Sequence, residues 1–343
     1  MKTTLYDFTS HINENELNEV AHILSHGGIV GIPTETVYGL AANALDGEAV
    51  KKIFTAKGRP QDNPLIVHIA SIEEWAPLVQ EIPEKAKRLT EKYWPGPLTV
   101  ILKKSTVIPD EVCAGMDTVA VRMPSSEVAQ AIIRAAGVPL AAPSANTSGK
   151  PSPTSAAHVM CDLSGKIDAV VDGGDCGVGV ESTVISLAGD IPRLLRPGGI
   201  SASQLIDVLG EVEIDSAVYN KLEENVKAAS PGMKYMHYSP DADITLLKGS
   251  FESFCRFVNE NAEKSPVALC FDGEEEALGI PCVAYGKAND AASQMRRIFA
   301  ALRQLDEIGA KKVFARCPSC EGESLAVYNR LVRAAGFHII ELE

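Results

Sequence analysis

The chain has no uninterrupted apolar run near the ~18 residues that a membrane helix needs, and its opening stretch, MKTTLYDFTSHINENE, lacks the basic-then-apolar order of a signal peptide. That pattern argues against membrane insertion and secretion, and the cytoplasm is the expected compartment. Positive charge is also short. Lysine and arginine number 32 against 45 aspartates and glutamates, a net charge of −13, and neither residues 1–210 nor residues 211–343 are basic. Nucleic-acid binding by phosphate neutralisation would need a local patch that this balance does not supply. The pair Arg296 and Arg297 reads as a solvated helix face. The eight cysteines are scattered, several in apolar runs such as VALCF, and read as reduced core residues. Cys317 and Cys320 form a lone CPSC with no second pair to complete a zinc site, so a structural role is favoured over zinc or redox chemistry.

What the chain does have is ordinary globular composition, 45% hydrophobic and 22% charged over 343 residues. That length exceeds the ~100 to 200 residues of one domain, so two domains are expected. The densest polar stretch runs from Gly31 to His68. IVGIP reads as a buried strand ending at Pro33. DGEAVKKIFTAKG reads as a helix with Asp46 as N-cap, Ile53 and Phe54 inward and Gly58 just past its end, and PLIVHIA as the next buried strand. Connecting loops of an open α/β sheet gather at one rim, where ligand sites form, and Lys57 and Arg59 fall there. Taken alone, KGRP could be a helix end whose cations complement the macrodipole. The same mixture of Ser, Thr, Asn and Arg beside Gly and Pro recurs at APSANTSGKPSPT, GVGVEST and RLLRPGG, which points to one large polar pocket.

Along the chain, Asn13 with Glu16 marks a helix start ahead of Leu17, Val20, Ala21 and Leu24, and Gly27 and Gly28 end it. Ser71 with Glu74 is expected to cap a helix carrying Trp75, Leu78 and Val79, and another helix runs from Pro83 to about Tyr93. Arg122 interrupts the apolar strand VAVRMP. It is either ion-paired to a neighbouring carboxylate or a bidentate grip on a substrate carboxylate or phosphate. DAVVDGGDCGVGVESTVISL reads as two strands joined by a glycine-rich turn. The helix ASQLIDVLG, capped by Ser201, closes the first unit at residue 210. Residues 211–242 read as a connector holding PGMKYMHYSP at 231–240, whose prolines and apolar side chains suit a lid over the pocket. The alternative is a tether packed between domains. From 243 to 343 strands and helices alternate as in a small parallel sheet, with no GxGxxG or GxxxxGK[ST] to support a nucleotide site there.

At PTETVYGL, KGRPQDNPLIVH, WPGPLT, PSANTSG, ESTV and RPG the chain resembles the YrdC-like family. With PGMKYMHYSP and the second α/β unit it resembles the two-domain threonylcarbamoyl-adenylate synthases of that family over its whole length. The resemblance implies an α/β fold: an N-terminal open twisted mixed sheet with helices over 1–210, and a smaller Rossmann-like domain over 243–343. It implies a nucleotidyltransferase making L-threonylcarbamoyl-adenylate and pyrophosphate from L-threonine, bicarbonate and ATP for tRNA modification. Residue by residue it places L-threonine near Thr36, His68, Arg122, Ala142 and Ser182, and ATP near Arg59, Asn63, Thr118, Ser144, Ser152, Arg196 and Tyr235. Arg59 and Lys57, the latter added for its charge and place at the rim, are expected as catalytic cations. Mg²⁺ is expected on the ATP phosphates, since the sequence offers no ligand cluster. The implied partner is a downstream tRNA threonylcarbamoyl transferase, with at most weak RNA contact. The alternatives are a related carbamoyl transferase, whose acylphosphatase and zinc-finger segments are missing here, and an RNA-binding module.

Overall fold

The computed structural model describes residues 2–221 and 238–343. Eleven strands build the first sheet: β1 (Thr4–Asp7), β2 (Val30–Ile32), β3 (Gly39–Asn43), β4 (Ile66–His68), β5 (Leu98–Lys103), β6 (Thr118–Arg122), β7 (Leu140–Ala141), β8 (Ala169–Asp172), β9 (Thr183–Ser186), β10 (Arg193–Arg196) and β11 (Glu213–Ile214). Their order is β1-β8-β2-β3-β7-β4-β6-β5-β9-β10-β11, with parallel and antiparallel neighbours mixed. Its helices are α1 (Glu14–Ser25), α2 (Gly47–Lys57), α3 (Glu84–Tyr93), α4 (Asp110–Cys113), α5 (Glu127–Ala136), α6 (Ala156–Leu163) and α7 (Ala202–Leu209). The second sheet, from β12 (Asp243–Lys248), β13 (Val267–Cys270), β14 (Cys282–Ala284), β15 (Lys312–Arg316) and β16 (Ile339–Glu341), is wholly parallel in the order β14-β13-β15-β12-β16. Its helices are α8 (Phe251–Glu260), α9 (Ala291–Glu307) and α10 (Leu325–Ala334). This is the two-domain α/β architecture expected from the sequence.

Local signals work as their chemistry demands. The Asp46 carboxylate accepts from the backbone N–H groups of Glu48 and Ala49 and starts α2, and Gly58 ends it in the left-handed region that glycine tolerates. Ser201 and Gln204 close a reciprocal capping box on α7. The helix expected after Ser71 is two 3₁₀ turns, Ile72–Glu74 and Ala76–Leu78, and the Ser71 side chain makes no cap bond. Pro77 in the second turn has no N–H to continue an α-helix, while Trp75, Leu78 and Val79 are buried as expected. Arg297 is an ion-pair donor to Asp272 at 2.5 Å rather than a merely solvated cation. Within the stretch read as connector, β11 adds to the edge of the first sheet and Ala217 packs on its apolar patch.

Two features open the pocket. His68 stands opposite Leu140 in register, and Leu140 lies in the cluster where α1 and α5 cover one sheet face. Next to Leu140 on that face stand the register partners His68, Arg122 and Thr99 of β4, β6 and β5, the polar groups that the first domain's helices leave uncovered. The second feature is the segment from 173 to 182, which leaves β8 and enters β9 with six strands between them. Across a flat sheet that gap would be ~34 Å at ~4.8 Å per strand, close to the limit of ten extended residues. The segment instead turns at Gly174 and Gly179, both with φ of +82°, so the sheet must curl to bring β8 and β9 within its reach, and the end of the segment, Glu181 and Ser182, lines the hollow.

Candidate functional site

The hollow is lined by Thr34, Thr36, Val37, Lys57, Arg59, His68, Arg122, Ala142, Ser144, Asn146, Lys150, Ser152, Glu181, Ser182, Arg196 and Tyr238, among others. Five of these carry positive charge and one is a carboxylate. At the C-terminal ends of the parallel strands β4 and β6, His68 and Arg122 are register partners. Arg122 is 3% exposed. Its Nε donates to the Gly96 carbonyl at 3.2 Å and its Nη1 to Thr36 Oγ1 at 2.8 Å, and its Nη2 lies 2.6 Å from Glu35 Oε1. The last contact is an ion pair by distance, without hydrogen-bond alignment. Both readings of Arg122 therefore meet here, because the carboxylate partner exists and the guanidinium still faces the hollow. Burial raises the Glu35 carboxyl, yet Arg122 and its neighbours hold it below the ordinary carboxylate value.

His68 donates from Nδ1 to the Ile66 carbonyl at 3.1 Å, which fixes the tautomer and leaves Nε2 as an acceptor. Burial, then the charge of Arg122, pushes its pKa down to about 3. Burial likewise lowers His158, whose Nδ1 accepts from Thr154 N at 3.3 Å, to about 4. Protons then bind the unfolded chain more readily than the fold below pH 6.5. The stability these neutral imidazoles contribute is present above that pH and is lost as pH falls towards 4 and 3. Between pH 6.5 and 5 each should cost roughly 1 to 2 kcal/mol. We expect the thermal midpoint to drop across that interval and His68→Asn to flatten the slope; an unchanged slope in the variant would show that His68 is not the group titrating.

Lys57, the last residue of α2 and 2% exposed, donates to the carbonyls of Ser144 at 2.6 Å and Asn146 at 2.5 Å and approaches Asn146 Oδ1 at 3.4 Å. Its own carbonyl accepts from Ser148 N at 2.9 Å. Burial, then Arg59, lowers its pKa well below the ordinary lysine value. Expected as a catalytic cation, Lys57 is in this geometry a clamp that shapes the PSANTSG loop, since its donors are engaged by that loop. Asn146 completes the turn, taking a 2.5 Å bond from Ser144 Oγ and donating to the carbonyls of Thr147 and Lys150. Arg59 donates to the carbonyls of Asn63 and Pro64 at 3.4 and 3.2 Å and lines the hollow.

On the opposite wall Arg196 donates from Nε to the Ser182 carbonyl at 3.0 Å and from Nη2 to Ser182 Oγ at 3.1 Å, and Ser182 Oγ is 2.7 Å from Thr99 Oγ1. Burial lowers the Arg196 pKa to about 10, so it stays charged at neutral pH. Ser152 Oγ donates to Glu181 Oε1 at 2.5 Å. Ala142 packs under Gly39, where an added Cβ would come within 3.2 Å of its own, and its small side chain keeps the floor open.

Most of the expected site residues thus come together: Thr36, Lys57, Arg59, His68, Arg122, Ala142, Ser144, Ser152, Ser182 and Arg196 all line one hollow. Asn63 and Thr118 do not touch it. Stepping the Ile66↔Ala120 register back two residues sets Pro64 beside Thr118, so both residues lie at the far end of β4 and β6 from His68 and Arg122. Tyr235, and PGMKYMHYSP up to His237, lie outside the described residues. Tyr238 is buried in the wall of the hollow, its ring 5.1 Å from Phe299. Glu35, Thr99, Glu181 and Lys150 join the site beyond the residues that the sequence singles out, although Glu35 and Glu181 stand inside the PTETVYGL and ESTV motifs. Among the described residues no group of three or more His, Cys, Asp or Glu could hold a metal ion, and no helix is long and apolar enough to cross a membrane.

A curled mixed sheet gathering five cations and several hydroxyls on one face, closed by a second parallel-sheet domain, defines a two-domain α/β protein built to hold an anionic small molecule. A family model described as telomere recombination, covering the Sua5, YciO and YrdC proteins, matches residues 22–198, and one described as the C-terminal domain of threonylcarbamoyl-AMP synthase matches residues 200–336. The threonylcarbamoyl-AMP synthases of Pyrococcus abyssi and Bacillus subtilis are each 45% identical to the chain, over 99% of it and 100% of their own length. The structure of P. abyssi Sua5 complexed with L-threonine superposes with a TM-score of 0.93 at 44% identity, covering 99% of this chain and 100% of that one. The chain belongs to the Sua5 family of threonylcarbamoyl-AMP synthases. Its activity is that of these full-length relatives, a transferase reaction that makes an adenylate.

Proposed function

We propose that the hollow holds L-threonine at its Arg122 end and ATP towards its Arg59 end, so that a threonine-derived carbamate meets the α-phosphate between them. The observation that carries this is the β4 and β6 register. Arg122 and Thr118 stand four residues apart on one strand face, a span of ~13 Å, and Arg59, bonded to the carbonyls of Asn63 and Pro64, stands at the Thr118 end. Arg122 and Thr36 would take the threonine carboxylate and hydroxyl region, and His68 and Ser182 would face the amine. Arg59, Ser144, Ser152 and Arg196 would hold the phosphates, and Asn63 and Thr118, outside the lining of the hollow, would meet the nucleoside where it extends past Arg59.

The chemistry asks for placement and charge. The threonine amine and bicarbonate give a carbamate and water, and the carbamate oxygen attacks the α-phosphorus while pyrophosphate departs. No nucleophilic side chain takes part, and the barrier falls through orientation and stabilisation of developing charge. His68, with its pKa near 3, accepts a hydrogen bond but is too weak a base to take a proton from an ammonium. Mg²⁺ would arrive on ATP as part of the substrate. The residues do not offer it a cage, because the carboxylate lining the hollow, Glu181, is already engaged by Ser152 and Arg330. The product would pass to a tRNA threonylcarbamoyl transferase, and a net charge of −13 favours a docked protein over bound RNA as its receiver.

The test is pyrophosphate release from ATP. It should require both L-threonine and bicarbonate, and serine should support it at a reduced rate, since the missing methyl is worth only ~1 to 3 kcal/mol. Equal rates with glycine, or release without bicarbonate, would overturn the assignment.

A further inference from the structure

Glu181 is an odd residue to find in the wall of a polyanion site. It is 6% exposed, its carboxylate lines the hollow beside Ser152 and Ser182, and a phosphate brought there would meet a negative charge. The partner that answers this charge comes from the other domain. Arg330, on α10 and fully buried, donates from Nε to Glu181 Oε2 at 2.8 Å. Its Nη1 donates to the carbonyl of Pro197, the neighbour of Arg196, at 2.8 Å, and its guanidinium lies 5.7 Å from the Tyr238 ring centre. The other carboxylate oxygen takes the Ser152 hydroxyl at 2.5 Å. A buried ion pair is no more stabilising than well-packed apolar residues of the same volume, because its desolvation offsets its attraction. Its presence at the pocket wall therefore calls for a reason other than stability.

We propose that Arg330 of the second domain is a positioning residue of the nucleotide site in the first: it cancels the charge of Glu181 from behind, so that Glu181 orients Ser152 without repelling phosphate. The proposal rests on the nucleotide reading above. Burial raises the Glu181 carboxyl, but Arg330 and then Arg196 hold it below the ordinary value, so it is an anion at neutral pH. Without Arg330 that anion would oppose ATP directly and compete with it for Arg196.

The experiment is titration calorimetry of the full chain with ATP and, separately, with L-threonine, in bicarbonate-depleted buffer so that no turnover occurs. For Arg330→Gln the ATP dissociation constant should rise at least about tenfold, the scale of one charge-assisted bond, and that for threonine should stay within about threefold. The double variant Arg330→Gln with Glu181→Gln removes both charges and keeps an acceptor for Ser152, and should regain ATP affinity to within about threefold of wild type. A merely structural role predicts the reverse, with both ligands weakened together and no recovery in the double variant. If the single variant does not fold, the double variant carries the test: a tenfold loss there overturns the proposal. Wild-type protein that binds threonine but no ATP would overturn the nucleotide reading and this proposal with it. Wild-type ATP binding with an unchanged Arg330→Gln constant overturns this proposal alone.

Discussion

Arg122→Lys is expected to bind L-threonine about a hundredfold more weakly than wild type while ATP affinity stays within about threefold. The guanidinium is held by three groups in three directions: the Gly96 carbonyl at Nε, Thr36 Oγ1 at Nη1 and Glu35 at Nη2. That fork is what leaves a planar donor edge facing the hollow, where the proposed threonine carboxylate would lie. An ammonium has one centre, so it can answer Glu35 or a substrate carboxylate but not both in the same plane. Loss of about one charge-assisted bond, worth up to ~3 kcal/mol, sets the scale. Because Glu35 sits 14% exposed beside it, the lysine must also be shown to fold, and a circular-dichroism melt supplies that control. Calorimetry returning an unchanged threonine constant in a folded Arg122→Lys protein would leave the residue with only its structural task, holding Glu35.

The sequence disclosed the site through composition, and the fold through periodicity. α2 was readable to the residue because Asp46 and Gly58 mark its ends by local chemistry that needs no tertiary contact. The alternation of strands and helices beyond residue 243 was equally plain. What stayed hidden depends on separations that no local pattern records. β8 and β9 read as two strands joined by a turn, and nothing in DGGDCGVGVES says that they enter the sheet at opposite sides of the hollow. The charges of Glu35 and Glu181 were visible, but their partners are 87 and 149 residues away in the chain. Lys57 was legible as a cation at the rim. Its engagement by two loop carbonyls could not be read, since it depends on how the segment from 144 to 148 folds back over the end of α2.

The second large effect should come from removing the second domain. The clusters that hold the first domain draw only on residues up to 217: one on α2, α3 and the buried tryptophans, one on α1 and α5, and the small patch of Ile66, Ile101, Ala120, Val184, Leu195 and Ala217. A chain ending after Lys221 keeps all three together with the β10 and β11 pairing, and should fold. One ending after Gly210 loses β11 and Ala217, uncovers that patch and should be less stable and less soluble. Neither keeps what the second domain gives the pocket. Val37 and Val180 belong to the core cluster of that domain. Asp162 is held by Arg303 in a two-pronged pair at 3.0 Å, and Arg303 also bonds the Pro151 carbonyl beside Ser152. Lys150 is fixed by Asp241 and Asp306. Cutting the chain therefore leaves Glu181 and Asp162 with no cationic partner from that domain and frees the PSANTSGKPS loop on its outer side. Removing one partner of a buried pair costs ~3 to 5 kcal/mol, which will be taken up by movement of the loops, since these lie at the new surface. Movement of about 1 Å in positioning groups costs on the order of a hundredfold in rate, so the 1–221 protein should release pyrophosphate at least about a hundredfold more slowly than the full chain while keeping a cooperative melt. Supplying the second domain as a separate polypeptide should restore part of that rate. A folded 1–221 protein that turns over at the full-length rate would show that the first domain places its own loops and that the contacts with α9 and α10 do nothing for the chemistry.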